Sequence, residues 1–278
     1  MAMFNPVEYK KNSIRVWDEI ALRYHKRWAR KNMGPFKSTS KLLGLAKIKP
    51  HDTVLDLACG TGIVTKKLAA KAGTVIGTDT SLNAVKLAKK WNAKNKNVGF
   101  VVADAEKIRF AKKFDVIVCQ FALFFFPDSQ KVLHNARSSL KKNGMIVMTV
   151  HGKKDAVPYF SCILDAVIQF IPDYIQPNAP SLDRFGTKTL LKNEFSKAGF
   201  KKIKIKEYDF KYSPGTFSDY WSAYLRYIAK PLREKINKLS KKQKIQLRDL
   251  VRKNTLRYTK NNKIIFPWKI LIVTAVNA

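Results

Sequence analysis

The sequence predicts an α/β protein built on an open, mostly parallel sheet, and three observations carry that expectation. Thr53–Leu57 is a run of β-formers that closes in the small residues Ala58-Cys59-Gly60-Thr61-Gly62 and feeds an amphipathic stretch reaching Lys71. Thr74-Val75-Ile76-Gly77-Thr78-Asp79 then reads as a second strand, so strand, turn, helix and strand follow in order. Phe114–Gln120 is apolar apart from Asp115 and its closing Gln120, as expected of a strand buried on both faces of a parallel sheet. Open sheets of this kind bind ligands in the crevice outside the carboxyl ends of their strands.

The glycine turn narrows the ligand. A dinucleotide fold requires G-x-G-x-x-G, but Gly60-Thr61-Gly62 is followed by Thr65 where the third glycine would stand, and no phosphate-loop pattern occurs in the chain. Asp56, four residues before Gly60, would repel a pyrophosphate and suits a ligand bearing a positive amine or sulfonium. Asp79, closing the second strand, is placed to accept from ribose hydroxyls. A nucleoside with a cationic tail satisfies both acids.

These residues carry a family resemblance. Asp56-Leu57-Ala58-Cys59-Gly60-Thr61-Gly62, with Asp79 after the second strand, resembles motif I and its acidic partner in class I S-adenosylmethionine-dependent methyltransferases. The segment from Phe114 to Asp128 is similar to the fourth-strand motif of the ubiquinone and menaquinone biosynthesis branch, the methyltransferase type 11-like proteins. The resemblance implies a Rossmann-like seven-stranded, mostly parallel sheet with helices on both faces, an antiparallel last strand, an N-terminal helical lid and an inserted helical cap. It also implies S-adenosylmethionine as cofactor, S-adenosylhomocysteine as product, and cofactor contacts from Asp56, Ala58, Cys59, Gly60, Thr61, Gly62, Asp79 and Thr80. No metal site is expected.

In chain order, Phe4–Lys31 presents Trp17, Ile20, Ala21, Tyr24 and Trp28 at three- and four-residue steps, an amphipathic helix. It either covers the sheet or, as the resemblance implies, closes over the cofactor, with Tyr24 against the methionine end. Gly34-Pro35 breaks it, and a helix over Thr39–Lys47 leads through Pro50 into the first strand. Thr80-Ser81 caps a helix over Leu82–Lys94. The third strand, Val98–Val102, runs into Asp104-Ala105-Glu106. Asp104 alone is a turn acid; the resemblance assigns Asp104 and the backbone of Ala105 to the adenine.

Gln120, at the end of the fourth strand, can donate and accept, and is a candidate for holding the cofactor's amino-acid tail. Phe121, Phe124, Phe125 and Phe126 are core, acceptor pocket or both. Asp128 caps a helix over Ser129–Leu140, Asn143-Gly144 ends it, and Met145–Val150 is the fifth strand. His151, at that strand's carboxyl end, is the candidate catalytic base if the acceptor needs one, and otherwise a polar loop residue.

Beyond it the alternation stops. Helices are expected over Val157–Ile171 and Thr187–Ala198, separated by a proline-containing loop, and Phe200–Phe210 alternates as a strand. Tyr220, Trp221, Tyr224, Leu225 and Ile228 form another aromatic helical face, Arg233–Lys263 one or two basic amphipathic helices, and Ile264–Val276 the closing strand. The chain divides into a lid (1–50), a cofactor-binding core (51–152), cap insertions (153–200 and 214–263) and closing strands (201–213 and 264–278), all of one domain.

At 278 residues and 46% hydrophobic, the composition supports one sizeable domain. The longest apolar run, Val116–Phe126, is too short for a membrane span of ~20 residues, no signal peptide is visible, and three cysteines without paired spacing read as reduced thiols of a cytoplasmic protein. The net charge of +34 is spread along the chain. It reads as solvated helix faces, with the basic C-terminal helices as a candidate surface for anionic membrane. The expected activity is methyl transfer to a small, partly apolar acceptor: quinone-like, lipid or another metabolite. The alternative drawn from charge is a nucleic-acid methyltransferase, though neither an Asn/Asp-Pro-Pro-Tyr run nor a Pro-Cys dipeptide is present. A non-catalytic cofactor-binding module ranks third. Oligomeric state is not legible.

Overall fold

In the computed structural model, which describes residues 4–29, 31, 33–227 and 230–278, the apolar runs pair as expected. The strands are β1 (Thr53–Leu57), β2 (Thr74–Asp79), β3 (Val98–Val102), β4 (Phe114–Gln120), β5 (Leu140–His151), β6 (Lys201–Gly215), β7 (Thr259–Lys260) and β8 (Lys263–Val276). Seven of them make one sheet in the order β3-β2-β1-β4-β5-β8-β6, with the two-residue β7 paired to β8. β1 through β5 are parallel to one another, while β8 runs antiparallel between β5 and β6. The order reverses between β1 and β4, so the connections from these two strands leave on opposite sides and open a crevice at their carboxyl ends.

Helices α1 (Pro6–Tyr24), α2 (Thr39–Ala46), α3 (Ile63–Ala69), α4 (Leu82–Trp91), α5 (Ser129–Ser139), α6 (Pro158–Phe170), α7 (Lys188–Lys197), α8 (Phe217–Tyr227), α9 (Lys230–Lys238) and α10 (Lys241–Thr255) pack around the sheet. Their starts follow local chemistry. Asn5 accepts from the Val7 and Glu8 N–H groups at the head of α1, and Ser240 and Gln243 form a reciprocal capping box on α10.

The N-terminal helix is shorter than its periodicity suggests. α1 gives way at His25 to a wide π-helical turn over His25–Ala29, which swings Trp28 inward. A Cβ on Gly34 would lie 2.3 Å from the Trp28 ring, so the backbone at Gly34, with φ 53°, is the floor on which the indole rests. Trp28 is 6% exposed and meets Tyr159, Tyr212 and Trp268 with ring centroids 5.4, 5.2 and 6.0 Å away. This aromatic box joins the N-terminal segment to α6, β6 and β8.

Asn143-Gly144 does not end α5, contrary to the sequence expectation. The helix closes at Ser139 and β5 begins at Leu140 with a register shift against β4. Asn143, at φ 62°, and Gly144 instead exchange hydrogen bonds with Asn277, at 2.7 and 3.0 Å, pinning the chain after β8. β6 also runs five residues beyond Phe210, to Gly215, because β8 offers a partner for its full length. The basic stretch forms α9 and α10, and Ile228 lies outside the described residues.

Removing the indole in Trp28→Ala should lower unfolding stability by roughly 3–5 kcal/mol, since the box cannot collapse around a rigid sheet. Urea denaturation with an unchanged m-value checks this.

Candidate functional site

The turn after β1 is shaped by backbone that side chains rarely tolerate. Ala58, Gly60 and Gly62 have φ of 57°, 53° and 76°. A Cβ on Gly60 would meet nothing within 4 Å, so this glycine faces open space and its role is conformational. Gly62 differs. Its Cβ would fall 2.7 Å from Asn92 Nδ2, 3.0 Å from Ala88 and 3.1 Å from the Phe100 ring, so it packs α3 against α4 and β3 and is absent from the cavity wall.

The space in front of Gly60 is a cavity of about 1120 Å³, counted with the open volume at its mouth. Its wall contains Tyr24, Asp56, Ala58, Cys59, Gly60, Thr61, Asp79, Thr80, Asp104 and Gln120 of the residues singled out from sequence. Gly62, Ala105 and His151 are not in it.

Asp56 is 1% exposed and accepts from Thr65 Oγ1 at 2.5 Å. Burial pushes its carboxyl up to about 7, against the pull of the Thr65 hydrogen bonds, and the nearby Asp79 charge adds to the rise. Asp79 accepts from Gly60 N through Oδ2 and from Ser81 N through Oδ1, both at 2.9 Å, leaving each oxygen a further lone pair. Burial raises this carboxyl too, opposed by the N–H groups of Ser81, Gly60 and Thr80. Neither acid pairs with a cation among the described residues.

Asp104 accepts from Glu106 N at 3.0 Å and from Lys10 Nζ at 2.9 Å, and Lys10 also bonds Glu106. Ala105 is buried behind it, its carbonyl accepting from Asn135. The Gln120 amide is not left free for a ligand. Its Nε2 donates to Ser38 Oγ and Thr39 Oγ1, both at 3.1 Å, and so anchors the segment leading into α2.

One side of the cavity is α1 itself, through Lys10, Ser13, Ile14, Trp17, Ala21 and Tyr24. Asp18 fastens this helix to the start of α4, accepting from Ser81 Oγ at 2.5 Å and Asn83 N at 3.0 Å. His25 meets Thr61 Oγ1 at 2.8 Å and lies 3.8 Å from the Trp91 ring. The apolar stripe expected from sequence begins at Trp17. Carried back by three- and four-residue steps, the same period reaches Ile14, Ser13 and Lys10, but Asp18 lies off the apolar stripe and nothing in the pattern marks it.

The remaining wall is aromatic: Trp17, Tyr24, Phe36, Phe121, Phe125 and Phe126. Trp17 meets Tyr24 and Phe125 edge-on at 5.3 and 5.4 Å, and burial raises the Tyr24 phenol above its usual range. Phe121 has φ 58°, a strained value for a bulky residue.

His151 sits one layer behind. Its ring stacks on Phe121 at 4.5 Å, faces Phe124, Phe160 and Trp268, and its Nδ1 accepts from Trp268 Nε1 at 3.3 Å. Burial lowers its pKa to about 3, so it is neutral, with its proton on Nε2, and is removed from the acceptor side. The carboxyl end of a strand was legible; the face that His151 occupies was not.

A family model described as a methyltransferase domain matches residues 55–148. The chain is 27% identical over 204 residues to demethylmenaquinone methyltransferase of Staphylococcus saprophyticus, covering 68% of this chain and 83% of that protein. It is 29% identical to ubiquinone biosynthesis O-methyltransferase of Coxiella burnetii over 46% of this chain and 58% of that one. Among solved structures, the YcgJ protein of Bacillus subtilis superposes with a TM-score of 0.60 at 18% identity, over 86% of this chain and 97% of that one, which bears on the fold.

Two outcomes follow from the site. A carboxyl raised in the fold gives stability that is complete below its unfolded pKa and lost as pH rises through about 7. Asp56→Asn should therefore stabilise the ligand-free protein increasingly from pH 5 to 8, by on the order of 3 kcal/mol at the upper end, read from thermal or urea unfolding across pH. His151→Phe, which keeps the aromatic stack, should leave the pH dependence of turnover unchanged; loss of a basic limb from the rate profile would restore His151 as a base.

Proposed function

The chain belongs to the class I S-adenosylmethionine-dependent methyltransferases of the menaquinone and ubiquinone branch, and from that premise we propose that its acceptor is a quinone-like ring precursor, methylated at an atom that arrives ionised. The residues of the cavity suit the cofactor. A buried carboxylate without a cation, Asp56, complements an ammonium group, and the open space at Gly60 admits close backbone approach. We assign Asp56 to the amino-acid tail, Asp79 to the ribose hydroxyls and Asp104 to the adenine; Ala105, buried behind the cavity wall, is left out of that contact. Tyr24, with its phenol held neutral by burial, lies against the methionine end. The bound cofactor supplies an electrophilic methyl group. The protein's part is to align the acceptor and exclude water, an effect that can supply ~7–11 kcal/mol.

The observation that supports this acceptor is the aromatic wall formed by Trp17, Phe36, Phe121, Phe125 and Phe126. A flat, partly apolar ring stacks on such surfaces. The same wall supports the ionised atom. Among the described residues no histidine lines the cavity, and its carboxylates, Asp56, Asp79 and Asp104, are those assigned to the cofactor. With no base left, a phenolic or enolic acceptor that loses its proton in water meets the chemical requirement. The similarity to menaquinone and ubiquinone biosynthesis methyltransferases leans the same way.

Incubation with methyl-labelled S-adenosylmethionine and a fractionated host extract should place the label in the lipid-soluble small-molecule fraction; label in RNA would replace the acceptor class. In the same assay Asp79→Asn should weaken cofactor binding on the order of 100-fold, two charge-assisted hydrogen bonds being at stake. Unchanged affinity by calorimetry would remove the ribose assignment.

A further inference from the structure

The nine Lys and Arg residues between Lys241 and Lys263 stand against one acid, Asp249. None of the nine pairs with a carboxylate among the described residues, whereas Arg233 and Lys235 of α9 are held by Glu19 and Asp173. α10 is amphipathic in an unusual sense. Its inner face buries Leu247, Val251 and Thr255, and its Asn254 exchanges hydrogen bonds with Cys162 of α6 at 3.0 and 3.3 Å. Its outer face, however, is not purely polar. Ile245 is 61% exposed and Leu256, just past the helix, 62%. Eleven residues, about three turns, separate them, so they fall on one side, and Lys241, Lys242, Arg248, Arg252 and Lys253 flank them along it.

We propose that this outer face docks on an anionic lipid surface. A single exposed aliphatic side chain is ordinary. Two aliphatics along a cationic stripe that has no carboxylate partners among the described residues and is interrupted by Asp249 alone meet both requirements of an interfacial helix, apolar side chains to enter the acyl boundary and cations to meet head-group phosphates. A nucleic-acid surface would use the cations and leave the aliphatics in water, and it would offer aromatic rings for stacking. Phe217 is 8% exposed and lies under the guanidinium groups of Arg248 and Arg252 at 5.9 and 4.9 Å, and Tyr258, half-buried two residues past Leu256, packs on Phe266 at 5.4 Å with the Arg257 guanidinium over its ring at 4.9 Å. No helix among the described residues is long and apolar enough to cross a membrane, so the contact is peripheral. It does not depend on the identity of the methyl acceptor, because binding is measured without turnover.

The test is co-sedimentation of the full chain with vesicles of phosphatidylcholine alone and of equal parts phosphatidylcholine and phosphatidylglycerol, at low and high salt. Binding should require phosphatidylglycerol and fall with salt. Ile245→Asp with Leu256→Asp, and separately Lys241→Glu with Lys242→Glu, should each weaken it on the order of tenfold or more, with circular dichroism and cofactor affinity as in the unaltered protein. Equal binding to both vesicles, or to neither, overturns the proposal. So does an Ile245/Leu256 variant that sediments like the unaltered protein, and if the charge variant alone loses both vesicles and bulk RNA, the surface is a nonspecific polyelectrolyte site.

Discussion

The site depends on one carboxylate kept out of water without a cation. Asp56 retains Thr65 as its side-chain partner, and Thr65 reaches it because α3 starts where it does. That start is fixed by Gly62, whose missing side chain lets α3 close on Ala88, Asn92 and Phe100. A glycine outside the cavity wall thus sets the environment of an acid that lines it. The same dry setting governs the cysteines. Burial, reinforced by the Asp56 and Asp79 charges, holds the Cys59 and Cys119 thiols well above their ordinary range, which makes them inert packing groups although Cys59 lines the cavity.

Two strained residues make the cavity from the sheet. The chain leaves β1 through Ala58 at φ 57° and leaves β4 through Phe121 at φ 58°. Such values disfavour both side chains, and each is supported by a backbone hydrogen bond to the next strand, Cys59 N to Thr78 O at 2.9 Å and Phe121 N to Thr149 O at 3.0 Å. The two turns face each other across the reversal of strand order, one supplying the glycine-turn side of the cavity and the other the aromatic side. Across the top lies α1, held by polar contacts. Lys10 and Asp104 remain 22% and 19% exposed, and Arg233 and Glu19 31% and 32%. Partly solvated ion pairs contribute little, so α1 is the wall with the weakest hold on the rest.

The sheet was legible because parallel strands buried on both faces leave near-continuous apolar runs, and β1 and β4 begin and end where those runs do, while the edge strand β3 keeps an apolar run with Val101 and Val102 exposed. The acids at the strand ends were legible for a related reason, since a carboxylate closing an apolar run has few structural uses. What failed was any assignment that needed the direction of a side chain or a distant partner. His151 is the fourth-strand neighbour's closing residue, but its environment comes from Trp268, 117 positions away. Asn143-Gly144 has the composition of a helix stop and is used instead to hold Asn277, a partner found only when β8 inserts beside β5.

Gln120 shows how such a misplacement changes the chemistry. At the end of β4 it lines the cavity, and an unengaged amide there would hold a zwitterionic tail by donating to the carboxylate and accepting from the ammonium. Its donors go to Ser38 and Thr39, and Thr39 Oγ1 also lies 3.2 Å from its Oε1. Those hydroxyls, at 0% exposure, donate in turn to Pro35 O at 2.6 Å and Phe36 O at 2.8 Å, so the amide completes a buried polar network. The residue is therefore a strut between β4 and the start of α2. With its amide engaged, the groups that face the cavity without a cation among the described residues are the buried acids Asp56 and Asp79, set apart from the wall contributed by α1 and the aromatic turn.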